Sequence, residues 1–542
     1  MDYILVYERC WPYYWTIRII NMEDIIIKDG LIVDGTGKKP YKGTIIIRKG
    51  KIYKITSNSD GYTGVIEISA KNKIITPGFI DVSNHSDTYL TLFNAPSQKS
   101  LITQGITTLI GGNCGSSLAP LISNSAIASI QKWSNIADIN INWHTMREYF
   151  TILSSKSFAP NIGTLVGYST VRRGLIGDAA RALTASELAT ITDILDKALS
   201  EGALGVSLGL AFSHMQVVSK AELIQLTIIV KKHNKILTVH TRNDGEKVLE
   251  SIQEIIDITR QTQVKTHINH IKILGHKNWK YDKDIYTLLN QVQEENLPLT
   301  FDVFPYTANN TVAYILLPDW VSLGGNAVLL ENLQDASIRR KVIQEMKANS
   351  YDYSRMIVSD SPMNKSILGK SIVEIAKHQD LGVEDALIQL IIASEGRARV
   401  IVEAISEEHI KQFIQYENSI IGSDSAGYDD SLIRLKGYEH PRSFGAITKF
   451  LQDYVVSGRL SWENAIPKIT SLPAKVFDID NRGLLQENKQ ADIVIIDPKQ
   501  LESCATFQQP IQYSRGIETV IVNGVITLKD GEVIASEGDI IT

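Results

Sequence analysis

Short β-branched runs punctuated by turn pairs open the regular part of the chain, as in "IIIKDGLIVDG" and "GTIIIRKGKIYKI". The same texture returns at the end in "ADIVIIDP" and "ETVIVNGVITLKDGEVI". Asp29-Gly30, Asn523-Gly524 and Asp530-Gly531 read as hairpin turns, because glycine supplies positive φ at little cost. The pattern predicts one small β-sandwich domain made from both chain ends, residues 22–75 and 471–542. Between them, over 76–470, strand-like runs alternate with helical periodicity, the mark of parallel βα units. Eight runs qualify: "GFIDVSNH", "GITTLIGGNC", "NIGTLVGY", "GALGVSLG", "KILTVHTR", "VKTHINHIK", "LTFDVFPY" and "SIIGSD". Eight units predict a closed α/β barrel of the (β/α)8 TIM type. Its roughly 395 residues exceed the usual ~250, so an insertion is expected at about 311–358. An open doubly wound sheet is the competing architecture, but no GxGxxG follows an early strand.

In such a barrel the chemistry gathers at the carboxyl ends of the strands. Those ends supply His85, Cys114, His240, His270, Tyr306 and Asp424. Five of the six are metal-ligand or acid–base types, although only 11 of 542 residues are histidine. Singly, each has a plainer reading: His240 as a hydrogen-bonded core residue, Cys114 as a buried filler, Asp424 as a helix N-cap. Together on one rim they predict a metal site. His267 falls on the opposite side of its strand from His270 and is read as structural.

Composition narrows the classes of function. The chain is 44% hydrophobic and 21% charged with a net charge of −5, a soluble globular balance that gives no reason to expect nucleic acid or an anionic membrane as partner. No apolar run reaches the ~18 residues of a membrane span. Three scattered cysteines, Cys10, Cys114 and Cys504, are too few for a disulfide framework and point to a reducing cytoplasm. The first 21 residues lack the layout of a signal peptide and read as a non-essential extension.

Several segments, in order, resemble one known group: "PGFIDVSNHSD", "GNCGSSLAP", "EGALGVSLGL", "VHTRND", "INHIKILG", "DVFPYTA", "LPDW", "GSDS" and "HPRSFG". They are similar to the amidohydrolase superfamily, and within it to the N-acyl-D-amino-acid deacylases (D-aminoacylases), from about Met22 to the end. "GNCG", "LPDW" and "HPR" are the segments that resemble the deacylase branch in particular. The resemblance implies a zinc-dependent enzyme that hydrolyses the amide of small N-acyl amino acids, of D configuration. It implies that Cys114, His240 and His270 hold a tightly bound zinc, that Asp424 is the catalytic aspartate, and that Lys272 and Arg442 hold the substrate carboxylate. Tyr306 is a further candidate for substrate contact. Asn488 stands where many relatives have a turn glycine.

The chain departs from that pattern at Ser83, which replaces the first histidine of a pair whose second member is His85. A serine hydroxyl is a poor zinc ligand, so one tightly bound zinc is expected, with His85 left as a weak or second-site ligand or as a partner of Asp424. Asp81 is expected to orient His85 or a neighbouring ligand. Tyr168, Ile271 and Phe304 also differ from common family residues. Two other readings stay open at this stage. One is a cyclic amidase of the hydantoinase or dihydroorotase kind, which Ser83 and Cys114 oppose. The other is an inactive barrel kept for binding, which retention of Asp424 and the three ligand residues opposes. Oligomeric state is not legible.

Overall fold

The computed structural model describes all residues except 1–3, 11–13, 21–22, 58–60, 63, 65, 124–125, 127–138, 349–350 and 434–437. Eight apolar runs form a barrel of parallel strands: Phe79–Asp81, Ile106–Gly111, Asn161–Thr164 continued by Val166–Gly167, Gly205–Gly209, Ile236–His240, Lys265–Ile268, Leu299–Val303 and Ser419–Ile421. Almost every residue in them is buried, because helices cover the outside and side chains fill the inside. The eighth strand returns to the first through a parallel bridge between Asn84 and Ser425, and the His85 amide donates to the Ser425 carbonyl at 2.8 Å. That seam brings the loops carrying His85 and Asp424 side by side.

Amphipathic helices follow the strands, among them Ala185–Ser200, Lys220–Lys232, Val248–Thr262, Asp282–Glu294 and Glu407–Gln415. Thr184 and Glu187 form a reciprocal capping box at the start of the first of these. Among the described residues, no helix is long and apolar enough to cross a membrane.

The two chain ends make one nine-stranded sheet, in which Ile74–Pro77 pairs with Ile493–Ile496. Its isoleucines, including Ile25, Ile45, Ile75, Ile493 and Ile521, share one core. An antiparallel bridge from Lys51 to Gln490 draws the sheet's far side together, and Asn488 takes the left-handed conformation there (φ 73°). Asn523-Gly524 and Asp530-Gly531 are turns between paired strands. Asp29-Gly30 is not. It forms a bulge inside the strand Ile25–Ile32, where Gly30 lies so close to Ile75 that an added Cβ would come within 2.2 Å of its Cδ1. The glycine there serves a close approach rather than a reversal.

Between the seventh and eighth strands the chain leaves the barrel and builds a three-stranded antiparallel sheet from Ala308–Val312, Arg399–Glu403 and Met356–Asp360. Helices Asn326–Gln334, Ala336–Ala348, Ile372–Gln379 and Val383–Ala393 accompany it. The first of its strands comes to rest over the open end of the barrel. The amino-terminal extension contributes a backbone hairpin, Ile4–Cys10 with Tyr14–Ile20. Its remaining residues lie outside the described residues.

Candidate metal centre and active site

Just past the carboxyl ends of the second, fifth and sixth strands, Cys114, His240 and His270 turn inward. One donor atom from each lies within 4.8 Å of the other two, the only such group of three or more metal-ligand side chains among the described residues. Cys114 Sγ is 3.3 Å from His270 Nε2, and the two imidazoles meet edge to face at 4.4 Å. All three residues are buried. Both ring nitrogens of His240 lack a hydrogen bond. Burial pushes the Cys114 thiol up, but the neighbouring imidazoles of His270 and His240 outweigh it and hold the thiol well below its ordinary value. A thiolate and two imidazoles, with unsatisfied nitrogen aimed inward, fit a tetrahedral zinc that keeps one position open.

The backbone that presents these groups is unusual. Cys114 (φ 52°), His270 (φ 38°) and Asp424 (φ 48°) all sit in the left-handed region, which costs a non-glycine residue energy and clusters at functional sites. Gly209 of the fourth strand makes room for the first of them: a Cβ there would come within 2.2 Å of the Cys114 carbonyl oxygen. His270 is fixed from below by Asp302, whose Oδ1 accepts from the His270 amide and from His267 Nε2, each at 2.9 Å. His267 thus faces away from the cluster and props it.

Asp424 stands beside the triad with both oxygens held. His85 Nε2 lies 3.1 Å from Oδ1, and Arg442 Nη1 lies 2.7 Å from Oδ2. Burial raises its carboxyl, but Arg442, His270 and His85 together hold it well below the usual carboxylate range, so the group is ionised. Arg442 also lies over the Phe304 ring at 4.7 Å. His85 therefore meets Asp424 and stands outside the three-donor group. Ser83 Oγ is buried without a hydrogen bond. Asp81 does not touch His85: it accepts from Asn84 Nδ2 (2.9 Å), the Ser423 amide (2.9 Å) and Ser423 Oγ (2.6 Å), so it ties the seam between the first and eighth strands.

Lys272 is 2% exposed and makes two contacts that the sequence did not suggest: Nζ is 2.9 Å from His270 Nδ1 and 2.7 Å from Asp244 Oδ2. Asp244 also lies 3.6 Å from His240 Nε2. Burial raises its carboxyl, yet Lys272 and the two histidines bring it down to about 2. Sequence reasoning passed over Asp244, whose one signal is its place four residues after His240. Tyr306 is buried, packing edge to face on His440 (5.2 Å) and Phe507 (6.2 Å), and does not line the cavity above the triad.

The enclosed space above the triad is about 30 Å³, room for a water or two. Its walls include Tyr89, Phe212 and, from the inserted strand, Asn309, Asn310 and Thr311. A larger cleft of about 680 Å³ lies at the opposite end of the barrel, between Tyr286 and Asn418, and contains no such donor cluster. Another, of about 830 Å³, adjoins the site through Asp244.

An amidohydrolase family profile matches residues 438–528. The N-acyl-D-glutamate deacylase of Alcaligenes xylosoxydans xylosoxydans is 29% identical over 504 residues, which cover 92% of this chain and 93% of that protein. The crystal structure of D-aminoacylase superposes with a TM-score of 0.81 at 25% identity, over 96% of this chain and all (100%) of that one. The chain is similar over nearly its whole length to D-aminoacylases and N-acyl-D-amino-acid deacylases. A second solved structure, N-acyl-D-glutamate deacylase from Bordetella bronchiseptica with zinc and a phosphonate mimic of the tetrahedral intermediate, has a TM-score of 0.80 at 26% identity, with 96% of this chain and 100% of that one covered. The similarity to these solved structures extends over the barrel and the β domain together.

Proposed function

We propose that the protein hydrolyses the amide bond of N-acyl-D-amino acids, releasing a carboxylate and a free amino acid, with one zinc ion held by Cys114, His240 and His270. The observation that carries the reading is the position of Asp424, ionised and fixed at both oxygens next to the three-donor cluster. The named activities of the relatives, D-aminoacylase and N-acyl-D-glutamate deacylase, supply the substrate class and its configuration. When bound, the zinc supplies a Lewis acid for the amide carbonyl and lowers the pKa of water.

The side chains do the rest. A carboxylate offers about four lone-pair directions, so Asp424 can accept a proton while His85 and Arg442 hold it. It takes that proton from the attacking water as the hydroxyl joins the acyl carbon. As the C–N bond breaks, it delivers the proton to the nitrogen, which would otherwise depart as an unstable anion. Arg442 and Lys272 face the same small space and hold the α-carboxylate, the first as a planar fork and the second as a point charge. His85, paired with Asp424 instead of with a second histidine, orients the carboxylate. Free Cys114 and Cys504 suit a reducing compartment such as the cytoplasm.

The test is a comparison of N-acetyl-D- and N-acetyl-L-amino acids with the zinc-loaded protein. Release of the free amino acid from the D series supports the reading. Hydrolysis of neither series, or of the L series alone, overturns it.

A further inference from the structure

We infer that this enzyme selects substrates whose amino-acid side chain is uncharged and discriminates against acidic ones, an inference that rests on the deacylase reading. Two of the relatives act by name on N-acyl-D-glutamate, a substrate with two carboxylates. The question is whether this site has a cation to spare for the second.

Among the described residues, the lysine and arginine side chains lining the catalytic cavity are Lys272 and Arg442. Lys272 is 2% exposed and is matched by Asp244 at 2.7 Å. Arg442 is 3% exposed and is matched by Asp424 at 2.7 Å. Each positive charge thus already faces a buried carboxylate. The α-carboxylate can share their remaining N–H donors, since guanidinium has five and ammonium three. A second carboxylate finds no such group in this wall, and the cations lining the adjoining cleft, Arg242, Lys220, Lys247 and Lys277, already face Glu254, Asp257, Asp319 and Glu246. The rest of the wall beyond the metal-ligand cluster and the His85–Asp424 pair is Tyr89, Phe212, Asn309, Asn310 and Thr311, all uncharged. Phe212 packs on His240 at 5.5 Å, and Asn310 Oδ1 already accepts from Ser359 Oγ at 2.8 Å.

Another buried arginine packs behind this wall. Arg399 lies 4.4 Å above the Tyr89 ring and 3.2 Å from Asp360, and Tyr89, not Arg399, lines the cavity. The aromatic ring therefore stands between that charge and the substrate. An anion buried without a cation is strongly disfavoured, whereas a neutral amide or apolar group of the same size meets a wall that suits it.

The decisive comparison is between isosteres. N-acetyl-D-glutamine and N-acetyl-D-glutamate differ in charge and hardly in shape, as do the asparagine and aspartate pair. The zinc-loaded enzyme is expected to favour the amide over the acid by about a hundredfold or more in kcat/KM, with N-acetyl-D-leucine also turned over. Asn309→Arg, which adds a cation to the neutral wall, is expected to narrow the glutamine-to-glutamate ratio at least about tenfold. A wild-type ratio near or below one overturns the inference while leaving the deacylase reading intact, as does an unchanged ratio in a folded Asn309→Arg protein. Failure to hydrolyse any of these substrates, or the leucine derivative, overturns both.

Discussion

Arg442 grips the far oxygen of Asp424, with Nη1 2.7 Å from Oδ2 and both side chains less than one-tenth exposed. The aspartate is thus an ionised base whose orientation is fixed before substrate arrives, with His85 on its other oxygen. Preorganisation of this kind removes the need to reorient the base during the reaction.

Replacing that base should separate chemistry from metal binding. Asp424→Asn keeps the size of the side chain but cannot accept the proton, so kcat should fall about 10²–10⁴-fold. Zinc content by elemental analysis should stay near that of the wild type, because the three donors are untouched. Full activity in Asp424→Asn would mean that another group moves the proton.

The cluster itself is tested by Cys114→Ala. Removing one of three donors should leave the purified protein largely free of zinc and inactive, and added zinc should restore little. Metal content and thermal melting with and without zinc measure this, since a ligand bound only by the native state raises Tm. Zinc retained undiminished would place the ion elsewhere.

Ser83 predicts a simple metal titration. Wild-type protein should saturate at one zinc per chain, and Ser83→His should bind a second, more weakly held ion through the introduced imidazole and His85. Two tightly bound ions in the wild type would show that the serine has not closed the second site.

Asp87 gives a pH dependence of stability. Burial pushes its carboxyl up from 3.8 to about 6, only partly offset by hydrogen bonds from the Thr88 and Gly112 amides and by the His85 charge. The folded state then binds the proton more tightly than the unfolded one. Its contribution is fully present below about pH 4, is lost as pH rises through about 6, and is flat beyond. By linkage the loss is about 3 kcal/mol. Asp87→Asn, whose side-chain oxygen can still accept from Gly112, should be more stable than the wild type above pH 6, with the advantage vanishing near pH 4. Urea unfolding at a series of pH values measures the difference.

How much of this was legible in the chain depends on the distance over which residues act. The barrel strands were readable because their burial is written as continuous apolar runs, and Cys114, His240, His270 and Asp424 because they directly follow those runs. Alternation along a strand stops being a guide once the strand ends. The first strand ends at Asp81, so Ser83 and His85 are placed by a turn and not by its pleat. Tyr306 shows the same limit, since it lies beyond the end of its strand at Val303. Asp244, Tyr89 and Asn309 were missed for another reason: what brings them to the cavity is the packing of separate loops and of an inserted sheet. No local pattern records that. Asp29-Gly30 misled because the same dipeptide serves a turn or a bulge, and only the neighbour, Ile75, decides.

Three reactive residues, Cys114, His270 and Asp424, occupy left-handed backbone. A glycine would rest at each of these positions more comfortably than the residue that is there. The metal site and its base are therefore held against the chain's own conformational preference, with the surrounding packing bearing the strain. Where no zinc is bound to offset it, glycine at any of these positions would relieve the backbone and abolish the site, so variants of this enzyme selected for heat resistance have to be screened for activity as well.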